Sequence, residues 1–132
     1  MTDAPPLVLS VEDNPQNSML VEKVLVGAGY RVVHASDGPS GVRAATEHAP
    51  DHILLDIHLP GFDGFEALRR MRALPGLARV PILALTADVL RGDRESILRA
   101  GFDDYLAKPY RIDELLALVQ QHCPPRPAGG GA

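Results

Sequence analysis

Apolar residues gather along this chain in five short runs, separated by longer stretches with helical periodicity. Leu7 to Val11, Arg31 to Ala35, His52 to Leu55, Pro81 to Leu85 and Asp104 to Ala107 have the length and bounds of strands. Strands that alternate with helices predict an α/β fold built on a parallel sheet. Leu7-Val8-Leu9 and Ile53-Leu54-Leu55 are apolar without alternation, as expected of central strands covered by helices on both faces. These two strands are therefore predicted to be neighbours in the middle of the sheet.

The helices between the runs carry start and stop signals. Asn14 as N-cap and Pro15 at the first helical position open the first helix, and Ala28-Gly29-Tyr30 ends it. The same ending recurs at Ala100-Gly101-Phe102, closing a helix predicted from about Leu90 and leading straight into a strand. That helix is crowded with Arg91, Asp93, Arg94 and Glu95 and has few apolar anchors beyond Leu90, Ile97 and Leu98. The last helix sets Ile112, Leu115, Leu116 and Val119 on one face, with Asp113 and Glu114 in its first turn.

Composition narrows the setting. A chain of 132 residues fits one domain able to bury roughly two-thirds of its unfolded surface. We assign residues 1–123 to that domain and 124–132, rich in Pro, Gly and Ala, to a tail or linker start. There is no internal repeat and no second hydrophobic pattern for an output domain, so output is expected to pass to a separate protein or a missing segment. The lone Cys123 forms no internal disulfide, and no stretch is long and apolar enough for a signal sequence or membrane span, so a cytoplasmic setting is expected. Thirteen Lys and Arg against seventeen Asp and Glu give a net charge of −4 without a basic run, which speaks against direct nucleic-acid or membrane-surface binding. The absence of Trp also argues against a base-stacking platform.

Candidate chemistry lies where the strands stop. Glu12 and Asp13 follow the first strand, Asp56 the third, Thr86 the fourth and Lys108 the fifth. In a parallel α/β sheet these ends form one edge, where ligands bind at the point at which strand order reverses. With the first and third strands adjacent, roughly 4.8 Å apart, Asp13 and Asp56 come within reach of one small ion, and Glu12 stands just behind. Two carboxylates ~4 Å apart repel by about 4 kcal/mol at an effective dielectric of about 20, so a cation or proton must intervene. A few oxygen ligands with room for water and a phosphoryl group favour magnesium (Mg2+) over zinc or a full calcium cage. His58 enters this set as a backbone-carbonyl donor. A carboxylate is a competent nucleophile toward phosphorus once a metal neutralises the incoming group, which makes Asp56 the acceptor and Asp13 a ligand.

In Val11-Glu12-Asp13-Asn14, Asp56-Ile57-His58-Leu59-Pro60-Gly61, Leu85-Thr86-Ala87 and Lys108-Pro109, the chain resembles a response-regulator receiver domain of two-component and phosphorelay signalling. The four motifs stand in order at strand ends and cover residues from about 7 to 122. The resemblance implies a doubly wound, flavodoxin-like sheet of order 2-1-3-4-5. It implies phosphorylation of Asp56 from a phosphohistidine on a histidine kinase or histidine phosphotransfer protein, and signalling to a downstream protein partner. Glu12, Asp13, Asp56 and the His58 carbonyl would arrange magnesium, Lys108 would contact the phosphoryl oxygens, Thr86 and Tyr105 would form the switch, and Lys108-Pro109 would be cis. Gly92-Asp93-Arg94-Glu95 and Gly101-Phe102-Asp103-Asp104-Tyr105 look like receivers of hybrid sensor kinases and stand-alone phosphorelay regulators. Many receivers have Asp where this chain has Glu12; the longer side chain can still hold a metal-bound water.

Plainer readings stand beside these. Glu12-Asp13-Asn14 alone would be a helix start, Asp56 a strand terminator, Thr86 a β-branched strand residue and Lys108 an exposed lysine beside a turn proline. Their convergence on one edge favours the phosphate reading. Tyr105 reads equally as a half-buried strand tyrosine. Histidines 34, 48, 52, 58 and 122 show no ligand spacing. A metal-dependent phosphohydrolase of the haloacid dehalogenase type would want a second Asp where His58 stands and an inserted cap. A nucleotide or flavin module would want a glycine-rich phosphate loop after the first strand. A receiver-like scaffold that takes no phosphate would not need the full set of polar groups.

Overall fold

The computed structural model describes residues 4–87 and 94–125. Its elements run β1 (Leu7–Val11), α1 (Pro15–Gly27), β2 (Arg31–Ala35), α2 (Gly38–His48), β3 (His52–Asp56), α3 (Gly64–Arg72), β4 (Ile82–Thr86), α4 (Arg94–Ala100), β5 (Asp104–Ala107) and α5 (Ile112–His122). The five strands form one parallel sheet of order β2-β1-β3-β4-β5, so β1 and β3 are neighbours and the direction in which strands are added across the sheet reverses between them. This is the doubly wound, flavodoxin-like arrangement. The expected beginning of the fourth helix, with Leu90, Arg91, Gly92 and Asp93, and the tail from residue 126 lie outside the described residues.

Two apolar layers hold the sheet between helices, and the pleat decides which residue enters which layer. Leu9, Val11, Ile53, Leu55, Ile82 and Ala84 face α2, α3 and α4 with Ala45, Leu68, Met71 and Ile97. Val8, Leu54, Leu83 and Leu85 face α1 and α5 with Val21, Leu25, Leu115 and Val119. Burial on both faces explains the unbroken apolar runs: all five residues of β1, β3 and β4 are buried, whereas the edge strands β2 and β5 are only partly covered. Truncating Leu54, which has no exposed surface, to Ala would cost about 2–5 kcal/mol.

The cap signals read from the sequence operate as expected. Asn14 Oδ1 accepts from the N–H groups of Gln16 and Asn17, at 2.9 and 3.3 Å. Gly29 and Gly101 take φ of +99° and +118° after α1 and α4, the left-handed region glycine enters without steric cost. Two strands run one residue further than the apolar runs suggested. Ladder hydrogen bonds continue past the last apolar residue, from Ile57 N to Leu85 O at 2.9 Å and from Lys108 N to Thr86 O at 2.7 Å. Asp56 and Thr86 are thus the final residues of β3 and β4 rather than the first residues beyond them.

Candidate functional site

The site lies at the carboxyl edge of the sheet. Val11 of β1 is in register with Leu55 of β3, so the next residues, Glu12 and Asp56, emerge side by side. One carboxylate oxygen each from Glu12, Asp13 and Asp56 lies within 4.8 Å of the others. Glu12 and Asp56 are 5% and 4% exposed, whereas Asp13 is open to solvent. Three acids at this spacing repel one another, and burial strengthens the repulsion by lowering the local dielectric.

Lys108 answers part of that charge. Its ammonium donates to Asp56 Oδ2 at 2.6 Å and to Glu12 Oε2 at 2.9 Å. Burial works to lower its pKa, but the bonds to Asp56 and Glu12 outweigh that and raise it above the ordinary lysine value. The Lys108–Pro109 peptide is cis, as the resemblance implied. His58 is exposed, and its backbone N–H donates to Asp56 Oδ1 at 2.9 Å. Each oxygen of the Asp56 carboxylate therefore has one donor, the lysine that follows β5 and the main-chain amide of His58.

Thr86 and Tyr105 lie beyond this cluster. Thr86 is buried and pairs with Ala107 in the parallel ladder; Ala84, two residues earlier, pairs with Tyr105. Side chains two apart share a face of the sheet, so Thr86 and Tyr105 are on the same face, the one that α4 covers through Ile97. Tyr105 is half-buried against that layer.

Two supporting residues, Asn17 and Gly64, were not singled out from the sequence. The Asn14 N–H and the Asn17 side-chain amide both donate to Glu12 Oε1, at 3.2 and 3.4 Å, so the start of α1 holds one Glu12 oxygen while Lys108 holds the other. Asn17 carries a sequence signal, since it stands three residues past the N-cap and faces back toward the strand end. Gly64 donates its N–H to Ile57 O at 2.8 Å, and a Cβ there would stand 2.5 Å from the Asp56 carbonyl oxygen. The first residue of α3 thus presses on the backbone of Asp56.

The donor set is all oxygen, with one carboxylate solvent-facing and two buried. Hard oxygen donors in small number suit a magnesium ion that keeps several waters, and the residues present fit it. Beside the cluster an open cleft of about 550 Å³ is lined by Leu20, Lys108, Pro109, Tyr110 and Ile112. Met19 and Leu20 of α1 are 71% and 49% exposed. Among the described residues no helix is long and apolar enough to cross a membrane.

Comparison with known proteins agrees with this geometry. Residues 8–120 match the model of the response regulator receiver domain family. The chain is 39% identical over 117 residues to the sensor protein GacS of Pseudomonas syringae pv. syringae, covering 86% of this chain and 13% of GacS. It is 40% identical over 114 residues to the transcriptional regulatory protein KdpE of Mycobacterium tuberculosis, covering 86% of this chain and 49% of KdpE. The chain thus spans about half or less of these two relatives. Among solved structures it is similar to the receiver domain of the sensor histidine kinase PA1611 from Pseudomonas aeruginosa PAO1, with a TM-score of 0.80 and 47% identity over 89% of this chain and 96% of that one. That receiver was crystallised with a magnesium ion coordinated in its active site cleft. With four motifs at one sheet edge, the expected strand order and a family match over nearly the whole sheet, this chain belongs to the response regulator receiver domain family of two-component signalling.

Proposed function

We propose that this receiver domain accepts a phosphoryl group on Asp56 from a phosphohistidine donor and passes the change to a protein partner through the α4–β5 face. The observation that carries the reading is the Asp56 carboxylate, 4% exposed, in contact with Lys108 and within 4.8 Å of two further acids. An ordinary strand terminator has no need of such a setting.

An oxygen of Asp56 attacks phosphorus, the P–O bond forms as the P–N bond of the donor breaks, and the leaving imidazole keeps the electron pair and takes up a proton. Glu12, Asp13, Asp56 and the His58 carbonyl would hold magnesium, which when bound supplies positive charge to the phosphoryl oxygens. Lys108 follows the same charge, exchanging its bond to Asp56 Oδ2 for one to a phosphoryl oxygen while keeping Glu12 as its second acceptor. Gly64 and the His58 N–H keep the acceptor in place. A protein donor is favoured by the cleft beside Lys108, lined by Leu20, Pro109, Tyr110 and Ile112, an apolar surface suited to a helical partner.

The switch follows from the shared face of Thr86 and Tyr105. A phosphoryl group draws the Thr86 hydroxyl toward the site, Tyr105 turns into the space released, and α4 responds because it is lightly held: Ile97 is its one buried residue between Arg94 and Ala100. Shifting a weakly anchored element takes little free energy, and the phosphoryl group supplies it through its differential contacts in the two states.

The test is direct. With magnesium and acetyl phosphate, the intact mass rises by one phosphoryl group, and Asp56→Asn abolishes the gain. Labelling of Asp56→Asn at the wild-type rate would move the acceptor elsewhere.

A further inference from the structure

The connection from β3 to α3 carries His58 and sets the donor on Asp56 Oδ1, yet most of it lies at the surface: His58, Pro60, Gly61 and Asp63 are exposed. Something other than burial must fix its course. At its far end Gly64 is locked against Asp56, as described above. Along its middle it is gripped by the first turn of α2. The Gly38 N–H donates to Pro60 O at 3.1 Å. A Cβ on Gly38 would stand 2.5 Å from Phe62 O and 2.7 and 2.9 Å from two atoms of the Phe62 ring. One residue on, Pro39 meets Gly61, whose φ is +86° and whose missing Cβ would stand 2.7 Å from Pro39 Cδ.

We propose that Gly38 is a positioning residue for the acid site: its lack of a side chain lets α2 seat directly on residues 60–62 and so holds the loop that presents His58 to Asp56. The proposal rests on the magnesium-dependent phosphoacceptor reading given above.

The neighbouring contacts decide which partner would yield to a methyl group at position 38. α2 cannot retreat easily. Its N-cap Asp37 and Ser40 form a reciprocal capping box, a Cβ on Gly41 would already be only 3.0 and 3.1 Å from the two Val11 methyls, and Ala45 is in the core. The Phe62 ring is also engaged, with the Arg70 guanidinium 4.3 Å from its centre. The exposed loop is the softer side, so it is the loop that moves, carrying the His58 amide away from Asp56 Oδ1. Gly38 itself has no left-handed φ that would strain a larger residue. Ala is moreover the better helix former, so the substitution acts through the contact with the loop and not through the helix.

The experiment is calorimetric magnesium titration, with urea unfolding and acetyl phosphate labelling in parallel, on wild type, Gly38→Ala, Pro39→Ala and Gly41→Ala. Gly38→Ala is expected to lose about tenfold in magnesium affinity, in the range seen when outer supports of metal ligands are removed, and to label Asp56 more slowly. Its urea midpoint falls by no more than that of Gly41→Ala, so the two variants differ in magnesium affinity at comparable stability. Pro39→Ala releases Gly61 without adding bulk and lowers affinity in the same direction, which keeps the test open should Gly38→Ala fold poorly. Gly41→Ala presses on Val11 in the core, so its stability falls while its magnesium affinity stays within about twofold of wild type. If wild type binds magnesium and Gly38→Ala and Pro39→Ala bind it equally well, or if affinity in the set simply follows stability, the positioning role is overturned. Wild type that takes up no magnesium would instead overturn the underlying reading of the site, and this proposal with it.

Discussion

Lys108 Nζ stands 2.6 Å from Asp56 Oδ2 and 2.9 Å from Glu12 Oε2, so one ammonium from the end of β5 holds together two almost fully buried carboxylates from β1 and β3. A lysine here does two things at once. It makes three clustered acids tolerable in the free protein, and it occupies an oxygen of Asp56, the proposed acceptor, that a phosphoryl donor would need. It therefore competes with a cation for the same negative charge.

Replacing Lys108 with Ala should accordingly tighten magnesium binding severalfold and lower the stability of the magnesium-free protein. The stability loss should be about 2 kcal/mol, below the roughly 3–5 kcal/mol of a fully buried pair because the lysine side chain keeps 20% exposure. Magnesium titration and urea unfolding check the two halves together. Weaker magnesium binding in Lys108→Ala would mean that the lysine organises the cluster and does not compete there.

The two acids after β1 should differ in consequence. Glu12 is buried, with Oε1 held by the Asn14 N–H and the Asn17 amide and Oε2 by Lys108, whereas Asp13 faces solvent. Asp13→Asn should therefore weaken magnesium binding more than Glu12→Gln in calorimetric titration. Equal losses would mean that the direct and supporting roles have been assigned wrongly.

Thr86→Ala should separate phosphorylation from signalling. The variant should accept phosphate on Asp56 but show little response on the face that Thr86 and Tyr105 share under α4. Hydrogen exchange over residues 94–107, with and without beryllofluoride as a phosphoryl mimic, measures it. The coupling fails if wild type shows no change there, or if Thr86→Ala changes as much.

His52 makes a pH prediction far from the site. It has no exposed surface, pairs through Nδ1 with Pro81 O at 2.7 Å, and its Nε2 has no hydrogen-bond partner among the described residues. Burial pushes its pKa down to about 4 against the opposing pull of the Pro81 carbonyl, with His122 lowering it further and Asp103 raising it. Between that value and the ordinary histidine pKa near 6.5, the unfolded chain binds a proton that the fold refuses, so stability falls as pH falls through this window. Going from pH 7 to about pH 5 should cost roughly 2 kcal/mol by this route. Urea unfolding at the two pH values should show a smaller loss in His52→Leu, and an equal loss would rule out His52 as the source.

The residues alone were sufficient for a parallel sheet, its central strands, the caps at Asn14, Gly29 and Gly101 and the polar edge, while the full strand order came with the family resemblance. Unbroken apolar runs such as Ile53-Leu54-Leu55 admit burial on both faces and little else, and Asn14-Pro15 or Ala100-Gly101-Phe102 act within a few bonds of themselves. Gathering Glu12, Asp13, Asp56, Thr86 and Lys108 at one edge needed only the rule that parallel strands end together. Tertiary structure decided what the pattern does not encode. The last residues of β3 and β4 belong to the ladder because neighbouring strands supply partners to Ile57 and Lys108. The Lys108 ammonium chose Asp56 and Glu12 because the fold brought to it carboxylates 52 and 96 positions away in the chain. Gly38 and Gly64, which carry no signal in the sequence pattern, matter because the backbones of Phe62 and Asp56 occupy the space where a Cβ would stand. Local signals report what a residue does to its own backbone. Which other backbone lies against it is settled only when the helices close over the sheet.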